Sequence, residues 1–155
     1  MEVNELKYVI DKLKDSTIKK EENREIWKES TKQLILDCFN EIIKKFDIGL
    51  EIGERDGLNL DYIYMRFSQK QSDFLYFDER ETVQPSKIGG VLHFSQTFNG
   101  EILVKIVYPI IDKVKPIKDN LIITTIPPLK ITKALVVKYV EDFLKEMVDW
   151  ESNNE

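Results

Sequence analysis

The sequence predicts an α+β fold: two N-terminal helices, an antiparallel meander of about six strands, and a long C-terminal helix packed on one sheet face. Three observations carry this reading. Apolar residues recur at spacings of three and four at both ends of the chain, they alternate with period two through its middle, and Asn99-Gly100 separates two of the alternating runs. Strands grouped between helices favour a sheet with helices on one face over a βαβ arrangement. At 155 residues the chain is read as one domain, 1–155, long enough to bury a core without disulfides or metals.

The stretch VLHFSQTFNGEILVKIVY, residues 91–108, organises the rest. Leu92, Phe94, Gln96 and Phe98 alternate with Val91, His93, Ser95 and Thr97, and Ile102, Val104, Ile106 and Tyr108 form a second alternating run. A two-residue loop would set Phe94 opposite Lys105 and mix polar with apolar residues on both faces. A three-residue loop, Phe98-Asn99-Gly100 with Gly100 left-handed and a bulge, puts Leu92, Phe94, Ile102, Val104 and Ile106 on one face. A one-residue slip would turn a whole side-chain set to the wrong side, so the odd loop is the expected one.

In chain order, Val3, Leu6, Val9, Ile10 and Leu13 mark a short amphipathic helix with Asn4 as its expected cap. The polar segment Asp15 to Glu22 is a turn or a kink between two helices. A stronger helix follows over Asn23 to Phe46, with Trp27, Leu34, Ile35, Cys38, Phe39 and Ile42 on its apolar side, closed by Asp47 and Gly49. Leu50–Glu54 reads as a short strand, Asp56-Gly57 as a turn, and Leu60–Ser68 as a longer strand. FLYF at 74–77 is another, and DERETVQPSKIGG a long polar loop. Pro109 ends the hairpin. Leu121–Ile126 is a last, buried strand, and Thr132 caps a final helix with Glu141 and Lys145 paired on its outer face. The three helical segments are expected to share one apolar layer with the hairpin.

Composition narrows the function classes. A net charge of −5, with lysines dispersed among acids, argues against a nucleic-acid surface. No apolar run approaches the ~18 residues of a membrane span. The mixed, acidic N-terminus is not that of a signal peptide, so a cytoplasmic location is expected. The single cysteine, Cys38, excludes an internal disulfide and a thiolate zinc cluster, and its apolar surroundings mark a buried thiol.

Chemistry is sparse. His93 is the only histidine; among Ser95, Thr97, Glu101 and Lys105 it could serve as a base, but a strand residue with one hydrogen bond is the plainer account. Glu51, Glu54, Asp56, Asn59 and Asp61 surround a glycine without the spacing of a calcium loop. Asp78 to Glu81 with Asp73 read as a solvated loop. Gly89-Gly90 lacks the following helix that a phosphate loop needs. Glu101 and Lys105 share a strand face without a third carboxylate. No catalytic, metal or cofactor site is expected, and no enzyme.

The aromatic residues offer more. Tyr62 and Tyr64 share a strand face with Arg66, while Ile63, Met65 and Phe67 share the other. If the second set meets the helices, Tyr62, Tyr64 and Arg66 face outward, and these residue types favour the centres of protein interfaces. The expected function is therefore a cytoplasmic protein-protein interaction module of the adaptor, accessory or inhibitor type. Its partner is another protein or a second copy of itself, with neither nucleic acid nor membrane involved. The element order also resembles, in topology alone, the helix-grip shape of several hydrophobe-binding families. That resemblance implies the alternative of a carrier, with Phe94, Ile106, Tyr139 and Phe143 lining a cavity between sheet and final helix.

Overall fold

The absence of glycine and proline before Gly49 lets the N-terminal third run as one helical rod. In the computed structural model, which describes residues 2–55, 60–68, 70–71, 76–77, 82–83, 86–111 and 119–153, α1 (Val3–Ile26) passes through a π-helical turn (Trp27–Thr31) into α2 (Lys32–Lys45). This corrects the expectation of two helices. The segment Asp15 to Glu22 is helical throughout, because its lysines and glutamates are good helix formers. Asn4 is not the cap: Glu2 holds that position.

The irregularity falls instead at the π turn, for a reason of register. Asn23, Trp27, Thr31, Ile35 and Phe39 recur every four residues and are all buried. On an unbroken α-helix each four-residue step drifts by about 40°, so the row would rotate out of the core. The extra residue of the π turn brings it back. Buried polar groups in the row are satisfied: the Thr31 hydroxyl donates to the Pro128 carbonyl at 3.1 Å, and Trp27 Nε1–H donates to Asp61 at 3.4 Å.

Five strands form the main antiparallel sheet: β1 (Leu50–Arg55), β2 (Tyr62–Phe67), β7 (Val91–Gln96), β8 (Ile102–Val107) and β10 (Leu121–Ile126), in that spatial order. The β7–β8 hairpin has the expected register. Leu92 faces Ile106 and Phe94 faces Val104; Gly100 has φ of 85°, and Thr97 N–H donates to the Glu101 carbonyl at 2.8 Å. The Asn99 side chain accepts from Glu101 N–H at 3.0 Å, which fixes the loop.

β10 is an edge strand with Leu121 and Ile122 exposed and a register shift between Ile122 and Thr124. The expectation of a buried strand fails because it has a neighbour on one side only. Among the described residues four short strands lie between β2 and β7 in the chain: β3 (Lys70–Gln71) pairs β6 (Ser86–Ile88), β4 (Tyr76–Phe77) pairs β5 (Thr82–Val83), and β9 (Ile110–Ile111) also pairs β6. The stretch 78–90 is thus not loop throughout. The pairing frame of β2 with β7 continues from Phe67 and Gly90 into Lys70 opposite Lys87, without a slip. The Asp56-Gly57 turn lies outside the described residues.

A 3₁₀ turn (Pro128–Lys130) leads to α3 (Lys133–Asn153). Thr132 caps it as expected, its hydroxyl accepting from Leu135 N–H at 3.2 Å, and Lys145 pairs with Glu141 at 2.9 Å. The core joins one sheet face to α2 and α3. Ile63, Met65, Leu92, Phe94, Ile102, Val104 and Ile106 meet Ile35, Phe39, Val136 and Phe143, all fully buried. Cys38 is a buried free thiol there, its pKa pushed up by burial. The apolar residues of the first half of α1 do not join this layer: Val3, Leu6, Val9, Ile10 and Leu13 are exposed.

Candidate functional site

The pleat that buries Ile63 and Met65 turns the intervening residues of β2 to the opposite face of the sheet. That face is a grid of cross-strand rows. The middle row runs Gly53, Tyr64, His93, Lys105, Ile122 across the five strands. On one side lies Arg55, Tyr62, Ser95, Leu103, Thr125; on the other, Glu51, Arg66, Val91, Val107. Every residue of the grid is half-buried or exposed, and the described residues place no second layer on this face.

Its centre is an ordered aromatic cluster. The Tyr64 ring lies parallel to the His93 imidazole, 6° apart in plane with centroids at 6.4 Å, and Tyr62 stands 4.8 Å from His93 and 6.1 Å from Tyr64, so the three rings form a triangle. Gly53, opposite Tyr64, makes room: a Cβ there would overlap the hydroxyl end of the Tyr64 ring. A glycine inside a strand signals such close approach. The Arg66 guanidinium sits 5.5 Å from the Tyr64 ring centroid while its Nε–H donates to Glu51 at 2.6 Å. Tyr62, Tyr64 and Arg66 therefore share the outward face, with Tyr64 and Arg66 each braced by β1.

His93 belongs to this aromatic cluster. Its Nδ1 is buried with no hydrogen-bond partner among the described residues. Burial, with Lys105 opposite it adding to the effect, pushes its pKa down from 6.5 to about 4. The neutral imidazole is the form the fold holds. As pH falls from 6.5 towards 4 the unfolded chain takes up a proton that the folded chain does not, so stability is complete above that window and declines through it. Replacing His93 with glutamine is expected to remove about 1–2 kcal/mol of the difference in unfolding free energy between pH 7.5 and pH 4, after allowance for solvent screening. Urea titrations of both proteins at the two pH values measure it, since the carboxylates contribute equally to both. An unchanged difference would refute the assignment.

The other sequence candidates lie apart. Glu51 is engaged by Arg66, whereas Asp61 receives Trp27 and Lys32, the latter at 3.6 Å, and its backbone N–H donates to Gln96. Glu54 lies 4.0 Å from Lys32. Among the described residues no group of three or more His, Cys, Asp or Glu could hold a metal; Asp56, Asn59, Asp73 and Asp78 to Glu81 fall outside them. Gly89-Gly90 leads into β7, not into a helix.

Phe94, Ile106, Tyr139 and Phe143 are brought together, but as a filled core, with Phe94 and Tyr139 rings 6.0 Å apart. An open groove of about 730 Å³ lies further along α3, between its C-terminal turns and the end of β2; Ile48, Phe67, Gly90, Leu144, Met147 and Val148 line it. None of the four expected cavity residues is among its lining. The sequence reading missed Gly53 and the place of His93 beside the two tyrosines. An isolated glycine in LEIGER signalled the first; the second emerges only once β2 is set beside β7. Compared with models of protein families, with curated proteins and with solved structures, the chain matches none.

Proposed function

We propose that the chain is a protein-protein interaction module whose partner seats on the open sheet face, over Tyr62, Tyr64 and Arg66. The observation that carries this reading is the braced aromatic ridge in the middle of a face on which the described residues place no second layer. Tyrosine and arginine supply much of the energy at interface centres, and side chains already held in place lose little freedom on binding. Arg55, Arg66 and Lys105 against Glu51 and Glu101 leave this face with one net positive charge in a chain of net charge −5. The complementary partner surface presents carboxylates around an apolar centre.

Affinity capture from the native host tests it, comparing the natural chain with Tyr64→Ala and Gly53→Ala. Loss of a hot-spot tyrosine is expected to weaken a specific partner by about 30-fold or more. Gly53→Ala is expected to do the same without removing any functional group, because its methyl displaces the Tyr64 ring. A partner held equally by all three folded proteins would overturn the assignment.

The groove at the end of α3 favours a second reading, carriage of a hydrophobic small molecule, since its volume is in the range of ligand sites. The two readings separate cleanly: Tyr64 is on the opposite side of the sheet from α3, so Tyr64→Ala leaves uptake of an apolar ligand there unchanged.

A further inference from the structure

The exposed half of α1 carries an apolar stripe. Residues 2–19 are exposed throughout, a helical arm about 25 Å long. An isolated helix of that length is marginal in water. Val3, Leu6, Val9, Ile10 and Leu13 form one continuous stripe on it, from 40% exposed at Ile10 to 79% at Val3. Val3, Leu6, Ile10 and Leu13 follow the three-four spacing of a helix-to-helix seam.

The protein's own hairpin closes one end of the stripe. Lys20, one heptad beyond Leu13, has its ammonium 4.2 Å from the Phe98 ring centroid. Arg24, two heptads beyond Ile10, donates to the Phe98 carbonyl at 3.3 Å, and Asn23 donates to the Asn99 carbonyl at 3.4 Å. A helix lying along the stripe must therefore begin at the hairpin tip and run away from it. A parallel partner would continue into the hairpin; an antiparallel one would not.

Charge selects the same arrangement. Glu2 and Glu5 outnumber Lys7 in the N-terminal part of the stripe, and Lys12 and Lys14 outnumber Asp11 in the other. Two copies side by side and head to tail set the acidic end of each against the basic end of the other, and oppose their helix dipoles. Val3 of one copy then meets Leu13 of the other, and Leu6 meets Ile10. We propose that the N-terminal half of α1 is a homotypic docking arm, taking a second copy of itself antiparallel along Val3, Leu6, Ile10 and Leu13. A seam this short falls near the lower bound of about 1,000 Å² for a specific interface, so the dimer is weak and concentration-dependent.

Sedimentation equilibrium of the full chain over a wide concentration range tests the association. The natural protein is expected to pass from monomer to dimer, and Leu6→Glu to weaken the dimer by at least about tenfold. Residue 6 is exposed, so the variant's helical circular dichroism at low concentration should be unchanged. Orientation is read by oxidation: a mixture of Val3→Cys and Leu13→Cys chains is expected to cross-link, and Val3→Cys alone is not. A monomer at every concentration, association untouched by Leu6→Glu, or preferential Val3→Cys self-linking would each overturn the proposal. None of these outcomes bears on the Tyr64 face, which the capture experiment reads separately.

Discussion

Gly100→Val is expected to cost the fold about 3–5 kcal/mol and to loosen the N-terminal rod from the sheet. Two independent penalties add. Gly100 has φ of +85°, where an L residue loses roughly 1–2 kcal/mol and a β-branched one more. A Cβ there would also lie 2.7 Å from Asn23 Cβ and 2.9 Å from the Lys20 carbonyl, so backbone would have to move. Gly49 separates the two terms: its φ is +77° but nothing lies within 4 Å of its added Cβ. Gly49→Ala should therefore show the conformational penalty alone, about 1 kcal/mol. Urea midpoints compare the two, and hydrogen exchange at residues 16–26 reports the loosening. Equal losses for both variants would mean that α1 does not press on the hairpin.

Phe94→Ala is expected to remove about 3–5 kcal/mol, the usual range for a buried phenylalanine. Phe94 is fully buried and joins three elements, with the Phe39 ring of α2 edge-on at 5.7 Å and the Tyr139 ring of α3 at 6.0 Å. Truncation leaves both helices without their common contact on β7. Leu129→Ala, at a residue 74% exposed, should change stability by less than about 0.5 kcal/mol. The check is a shift of the denaturation midpoint at constant slope; a comparable loss from both would show that Phe94 is not a keystone of this core.

The hairpin was legible because two independent signals coincided there. Alternation named the faces and Asn-Gly named the corner, and only the three-residue loop reconciles them. The helical rod was less legible. A polar run such as KDSTIKKEEN resembles a turn in composition, yet nothing in it breaks a helix, and a π turn leaves no local mark: it shows only as a row of buried positions four residues apart. The stripe of α1 was read correctly as amphipathic and wrongly as core, because periodicity reports that a face is apolar but not what covers it. On the outer sheet face, Tyr62, Tyr64 and Arg66 were visible as a set. Their bracing was not, because Gly53, Glu51 and His93 reach them across strands and pairing is a property of three dimensions.

The uninterrupted frame from β2 into β3 and from β6 into β7 has a consequence for how this molecule can change size. Gln71 and Ser86 stand opposite one another, so a chain that reversed direction between them would leave every side chain of the five-stranded sheet on its present side. Trimming or extension that removes or adds one residue on each limb beyond that point is a modular edit, invisible to the layer beneath the helices. An edit on one limb alone would instead invert the limb's faces from that residue onward. Length variation within the ladder that runs from β2 and β7 to Gln71 and Ser86 should therefore come in matched pairs.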